Sequence, residues 1–379
     1  MTALRKTTII LSLRNLTYLL AALSVVVLFS IWNQNRQLSK FSDSLWRFKG
    51  NLFNIFYSTV LFNTNNSSII DFQSNGDKQT AFLSIEDHAR ITNESHTAAR
   101  PLLCTSCFLH NYGYVLNNDG ICDLKNSVDS IRIIILIFST HANTDRRKAL
   151  RESWLLPYRH NQDNIRYAFL LGMTSNPSLQ GRLETESALY KDIVQENFLD
   201  SYHNLTIKTV MALKWVITHC NHAKFMMKTD DDMYVNTESL KIALQQHGIQ
   251  LLRSVGGHCW LKGRPQRQRS SKWYASYRMY PQKIYPGFCS GTGYVTSISM
   301  AKKLFDVTPH VPFFHLEDVY VGLCLYALGL SVTHIRGFNL GRIPLGCVYK
   351  SNTLITSHEL ELHHLLYVWH LKCKKKHTG

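Results

Sequence analysis

A chain of 379 residues that is 45% hydrophobic and 18% charged is too apolar to be disordered, and it is long enough for one large α/β domain with additions or for two small domains. Its 42 Lys and Arg outweigh 26 Asp and Glu by a formal charge of +16, but the basic residues are dispersed and no zinc-finger, RRM or homeodomain pattern occurs, so no nucleic-acid partner is expected. The excess charge fits a basic cleft for an anionic small molecule, or a basic surface of no specific role.

The first element is "LTYLLAALSVVVLFSIW", Leu16 to Trp32, free of charge and at the short end of the roughly 17 to 25 residues that span a bilayer. It predicts a cytoplasmic tail over residues 1–15 and a transmembrane signal anchor over 16–32. A cleaved signal peptide is the competing reading, since Ser24 and Ser30 suit processing. Arg5, Lys6 and Arg14 precede the span and Arg36, Lys40, Arg47 and Lys49 follow it, so charge flanks give no orientation. Sequons at Asn65, Asn66, Asn93 and Asn204 all lie C-terminal to the span and place that side in a lumenal or extracellular compartment. Nine Cys agree with such a compartment. "CTSC" at 104–107 has no second CxxC to complete a zinc site, so disulfides are expected, with at least one thiol left over and the pairing open. Residues 33–127, rich in Asn, Ser and Asp and without sustained periodicity, read as a stem. Within it the aromatic segment 41–62 is either an amphipathic helix on the membrane surface or an added packing element.

At Ile131 the pattern changes. "IRIIILIFST" is a continuous apolar run of the kind buried on both faces of a parallel sheet. A basic helical segment, "TDRRKALRESW", a second strand, "RYAFLLG", and the mixed segments "ETESALYKDIV" and "NLTIKTVMALKWVITHC" follow it. The alternation predicts a doubly wound α/β domain. The short strand "KFMMK" then runs into Asp230, Asp231 and Asp232, and past these the pattern loosens through the Gly-rich "YPGFCSGTGY" before "LEDVYVGLCLYALG" starts another helix.

Three neighbouring carboxylates repel one another and need compensation. An EF-hand loop counted from Asp230 would want Gly sixth and Glu twelfth, where Val235 and Lys241 stand, so that reading fails. A solvated acidic turn capping the helix that starts at "NTES" remains open. So does a strand end at a topological switch point, with Asp230 and Asp232 holding a divalent cation against a phosphate.

In order along the chain, "RRKALRESW", "FLLG", "DIVQENFLDSYHNLTIKT", "KTDDDMYVN", "SKWY", "YPGFCSGTGYV" and "LEDVYVGLC" resemble the β1,3-glycosyltransferases, above all the Golgi β1,3-galactosyltransferases. The resemblance covers about residue 131 to the C-terminal region, with Leu155 standing where the family has Gly after the Trp. It implies an α/β fold of the GT-A type, a Rossmann-like nucleotide-sugar-binding catalytic domain over 128–379, behind the transmembrane helix and stem of a type II Golgi membrane protein. It further implies an inverting enzyme with manganese or another divalent cation, a UDP-sugar donor, and a glycan acceptor on glycoprotein or glycolipid.

Residue by residue, the resemblance makes Asp232 the direct metal ligand, with Asp230 and Asp231 near the ribose or the metal's water shell and His358 a further ligand. Arg147 and Arg151, four apart on one helical face, become donor contacts together with Lys228. Asp318 becomes the base that takes the acceptor's proton, while Glu317, Gly291, Gly293 and Trp273 become sugar or acceptor contacts. Plainer readings stand beside these: a solvated basic helix for the arginines, a helix N-terminal acidic pair for Glu317 and Asp318, a surface His358, and core packing for Trp273. The expected reaction is transfer of galactose from UDP-galactose in β1,3 linkage to a terminal GlcNAc. The alternatives are N-acetylglucosaminyl transfer on the same scaffold and a non-catalytic lumenal carbohydrate-binding protein.

Overall fold

The computed structural model describes residues 100–124 and 130–373. The expected tail, anchor and aromatic segment, with Asn65, Asn66 and Asn93, lie outside these residues. Among the described residues no helix is long and apolar enough to cross a membrane.

The elements in chain order are strand β1 (Tyr114–Asn117), β2 (Ile133–Phe138), helix α1 (Thr144–Arg151), β3 (Ile165–Met173), α2 (Pro177–Tyr190) and β4 (Ile193–Leu199). After them come α3 (Leu205–His219), β5 (Phe225–Asp230), β6 (Tyr234–Val235), α4 (Thr237–Leu251), β7 (Gly256–Trp260) and β8 (Phe288–Ser297). The chain ends with α5 (Ile298–Val307), α6 (Glu317–Ala327), β9 (Thr333–His334), β10 (Thr356–Ser357) and α7 (Leu362–His370). Asn176, Asn236 and Ser297 cap α2, α4 and α5 by accepting backbone N–H groups of their first turns, which fixes where each helix leaves its strand.

Eight strands form one sheet in the order β1-β4-β3-β2-β5-β8-β7-β9, parallel from β4 to β5 and antiparallel where β8 joins β5 and β7. β2 is apolar at every position because it is covered on both faces: Ile134, Leu136 and Phe138 enter one core, Ile133, Ile135 and Ile137 the other. Residues of α3, α5 and α6 fill the first core, and residues of α1, α2, α4 and α7 fill the second. The chain leaves β2 towards β3 and β4, then returns to β2's other side as β5. A crevice therefore opens beyond the carboxyl ends of β2 and β5, where Phe138 pairs with Asp230.

Two expectations change here. β1 lies inside the stretch read as stem yet pairs antiparallel with β4, and Cys122 bridges to Cys220 at the end of α3, so the folded unit begins before residue 128. The Gly-rich segment, read as loosened structure, is β8, a ten-residue strand between β5 and β7. Disulfides join Cys104 to Cys107, Cys122 to Cys220, Cys259 to Cys289 and Cys347 to Cys373, and the thiol left over is Cys324, buried in α6.

Candidate active site

The carboxyl end of β5 turns sharply at Asp230, Asp231 and Asp232, and the three side chains part company. Asp231 is buried: its carboxylate accepts hydrogen bonds from Ser139 Oγ at 2.6 Å and from Asn143 Nδ2 at 2.9 Å, both on the loop after β2. Burial raises its proton affinity in spite of those donors. Asp230 takes the Lys228 ammonium at 2.8 Å. Asp232 stays half-buried, with Oδ2 at 3.2 Å from His358 Nε2 and Oδ1 shielded and without a hydrogen-bond partner.

His358 reaches Asp232 from far along the chain because β10 pairs antiparallel with β6, Ser357 opposite Tyr234, which carries the next residue to the carboxylate turn. The backbone N–H of Leu360 donates to the Asp232 carbonyl at 3.2 Å and fastens the crossing. The other imidazole nitrogen, Nδ1, donates to the Leu340 carbonyl at 2.9 Å, leaving Nε2 directed at Asp232 as a ligand. Burial opposes charge on both groups, yet the pair holds Asp232 below the usual carboxylate range and His358 above the usual imidazole value. Aspartate oxygen and neutral imidazole nitrogen make a donor set for a divalent cation, and the unpartnered Oδ1 is a ligand atom that the protein itself does not satisfy. Asp230 is engaged by Lys228 instead, and a separate group, Glu361, His363 and His364, brings its ligand atoms within 4.8 Å of one another.

Lys228 ties this turn to the second acidic pair. Buried in β5, it contacts Asp230, lies 3.1 Å from Glu317 Oε1 and donates to the Gly291 carbonyl. Its ammonium is held charged by the two carboxylates against the effect of burial. Gly291 N–H donates to Asp318 Oδ2 at 3.3 Å, and Asp318 Oδ1 accepts from Val319 N–H at 2.8 Å in the first turn of α6. Burial raises the proton affinity of Asp318 above that of an ordinary carboxylate.

Several expected contacts are replaced by internal ones. Glu317 turns inward, where Thr209 Oγ1 and Tyr294 OH donate to it at 3.0 and 3.1 Å, and burial pushes its carboxyl up to about 7, so it supports Lys228 and offers no face to a sugar. Gly291 makes room for that carboxylate: a Cβ there would stand 2.5 Å from Glu317 Oε1. A Cβ at Gly293 would stand 3.3 Å from the Met227 side chain. Lys228 is occupied by its own acids.

Arg147 spends all five N–H donors inside the protein, on Glu186, Ser139, Thr140 and Thr144, and Arg151 clamps Asp192 and Glu186. Arg147 has no donor left for a diphosphate, and Arg151, its side chain 6% exposed, is buried against its two acids. Their spacing carried the signal: Arg147, Leu150, Arg151 and Trp154 recur at helical spacing on one buried face, where Trp154 donates to the Met233 carbonyl at 3.0 Å. Arg147 still serves the site at one remove, because its Nη1 donates to Ser139 Oγ, which in turn holds Asp231.

The arginine missed by spacing is Arg146, turned away from that face. It donates to the Leu360 carbonyl at 3.2 Å and, with Asn143, Asp145, Glu361 and His363, lines a cavity of about 380 Å³ beside the carboxylate turn. Trp273 is 55% exposed, which rules out core packing and leaves a ring free to stack on a ligand. Asn204, partly buried ahead of α3, donates through Nδ2 to the Leu199 carbonyl at 2.7 Å.

Comparison with known proteins adds four findings. A family model described as galactosyltransferase matches residues 145–336. The chain is 38% identical to β1,3-galactosyltransferase 1 of Homo sapiens over 269 residues, 71% of this chain and 81% of that protein. It is 36% identical to β1,3-galactosyltransferase 2 of Homo sapiens over 277 residues, 71% of this chain and 64% of that one. Among solved structures, galactosyltransferase LgtC in complex with donor and acceptor sugar analogues is similar at 10% identity and a TM-score of 0.34, covering 64% of this chain and 98% of that one.

Proposed function

The chain belongs to the galactosyltransferase family and is a glycosyltransferase, and from that premise we propose that it moves galactose from UDP-galactose in β1,3 linkage to a terminal GlcNAc of a glycan on glycoprotein or glycolipid, with inversion at the anomeric carbon. The observation that carries this reading is the bridge from the carboxylate turn to the acidic pair of α6, Asp230 to Lys228 to Gly291 to Asp318, which supports a donor side and a base facing one crevice.

The cavity lined by Asn143, Asp145 and Arg146 takes the nucleotide, with Arg146 supplying positive charge. Asp232 and His358 would hold a divalent cation, manganese in the first instance. Held there, it would offset the negative charge that grows on the departing diphosphate. Asp318 accepts the proton of the acceptor hydroxyl as that oxygen attacks the anomeric carbon opposite the leaving group. Two backbone N–H groups orient its carboxylate, and burial makes it a stronger base than a solvated one. Trp273 stacks on the acceptor ring. The GT-A assignment and a type II Golgi placement belong to the same proposal, supported by the parallel sheet with its switch point and by four disulfides, which require an oxidising compartment.

Incubation with UDP-galactose or UDP-N-acetylglucosamine, manganese and a GlcNAc-terminated oligosaccharide, followed by NMR of the product, tests it. A β1,3-linked galactoside is expected. An α-anomeric signal overturns inversion, and a β1,3-linked GlcNAc product overturns the donor.

A further inference from the structure

Between Glu238 and Asp306 the chain contains no acidic residue, and residues 261–287, which join β7 to β8, carry seven Lys or Arg. The loop is an ordered platform. Arg267 donates to the carbonyls of Ala275, Tyr280 and Gln282 at 2.7, 2.8 and 2.9 Å and covers the Tyr277 ring at 4.1 Å, so this one arginine holds the loop's shape. On its inner side Tyr280 and Tyr285 each pack at 5.8 Å on Phe314, which stands just ahead of Glu317 and Asp318. The outer side is therefore anchored next to the catalytic base. It exposes Lys262, Arg264, Arg269, Lys272 and Lys283, none of which forms an ion pair among the described residues, around the exposed Trp273 and Tyr277 rings.

Like charges crowded on one ordered surface raise its potential and favour an anionic partner that approaches the site. Resting on the proposed function, we propose that this loop selects acceptors carrying a negative charge, a sulfate or a carboxylate, close to the sugar that is glycosylated. Stacking on the rings would orient the sugars, and the exposed cations would receive the charge.

The test compares a neutral GlcNAc-terminated oligosaccharide with the same oligosaccharide bearing one sulfate, using the whole chain. The expected result is a KM lower by about tenfold for the sulfated acceptor at about 0.05 M salt, with the advantage largely gone at about 0.5 M. In the triple variant Arg264→Gln, Arg269→Gln, Lys283→Gln the advantage disappears, while kcat and the KM for the neutral acceptor stay as they were. Equal KM values, or an advantage that survives the triple variant, overturn the proposal. Equal KM values together with loss of phosphatidylserine-vesicle binding in the variant overturn it in favour of a membrane-facing loop. Calorimetry with both oligosaccharides in the absence of donor separates the two readings. Sulfate-dependent binding without transfer to either acceptor supports the loop's selectivity and overturns the galactosyl reading alone.

Discussion

Two pairs of adjacent carboxylates approach the crevice, Asp231 and Asp232 at the end of β5 and Glu317 and Asp318 at the start of α6, and each pair divides in the same way. Asp231 and Glu317 are buried and held by the protein's own donors, while Asp232 and Asp318 stay half-buried. The geometry behind the division differs. Past the last strand residue the chain turns, and the turn parts the two neighbours; in the first helical turn, neighbours lie about 100° apart. In both places one acid helps to fix the backbone that aims the other. Acidic doublets here are thus a support and a working group, not two equivalent ligands.

The sharpest way to break this comparison is to exchange roles at α6. Asp318→Asn keeps one of the two backbone hydrogen bonds, from Gly291 or from Val319, but removes the base, so transfer should fall about 10²- to 10⁴-fold with UDP affinity unchanged. A loss below tenfold in a folded variant would place the base elsewhere. Glu317→Gln should act on stability instead, by about 1–3 kcal/mol, because Lys228 loses one of two charge partners in a buried setting. Denaturant unfolding reads that difference, and a Glu317→Gln enzyme of full stability but no activity would erase the distinction.

Two groups at the start of α6 give opposite pH dependences: Glu317, its carboxyl raised to about 7, holds a proton that the unfolded chain lacks and gains stability as pH falls below that value, whereas His315 loses it. His315, two residues ahead of Glu317, is buried, and burial together with nearby His203 lowers its imidazole to about 4. In the unfolded chain it titrates near the ordinary value, so the unfolded state binds more protons throughout the window between. Stability from this group is complete above about pH 6.5 and is lost as pH falls towards 4, on the order of 3 kcal/mol in all. His315→Gln should remove this loss, so that between about pH 6.5 and 4 the variant gains stability relative to the wild type in pH-dependent unfolding; an unchanged difference between the two assigns the loss to another group. At the β5 turn the next effect is smaller: Asp231→Asn weakens the scaffold behind Asp232 and should cost about 10- to 100-fold in manganese-dependent UDP affinity, as outer-shell changes do. Calorimetry measures it, and wild-type affinity would show that Asp231 supports nothing.

Legibility in the sequence follows the range of the interaction. The apolar run of β2, the strand ending at Asp230 and the helix opening at Glu317 are local patterns, and each is where periodicity places it. β8 was hidden because its glycines mimic a turn; their reason lies in Glu317 and Met227, which no local window contains. The inward pairing of Arg147 and Arg151 was hidden for the same reason: their acid partners, Glu186 and Asp192, sit on and just beyond a different helix, and only the Arg147–Leu150–Arg151–Trp154 spacing hinted that the guanidiniums face inward. Arg146 had no local sign at all, since the cavity it lines closes only when the N-terminus of α7 arrives.

The smallest expected effect tests whether the comparison extends beyond charge. If the crevice has a donor side at the β5 turn and an acceptor side at α6, a residue on the acceptor side should change acceptor kinetics and nothing else. Trp273 lies on the loop packed beside α6, exposed, with the Lys272 ammonium 4.8 Å from its ring, and it contributes nothing to either core. A solvent-exposed aromatic that stacks on a sugar contributes about 0.5–1.5 kcal/mol beyond burial, by analogy with aromatic pairs. Trp273→Ala should therefore raise the acceptor KM roughly two- to tenfold, since each 1.4 kcal/mol is a factor of ten. The KM for UDP-galactose and the unfolding midpoint should not move. Trp273→Phe should recover most of the loss, because the stacking face is kept and only the indole N–H and some area are removed. A shift in donor KM of the same size would mean that the two sides of the crevice are not separate, and a fall in stability would return Trp273 to a structural role.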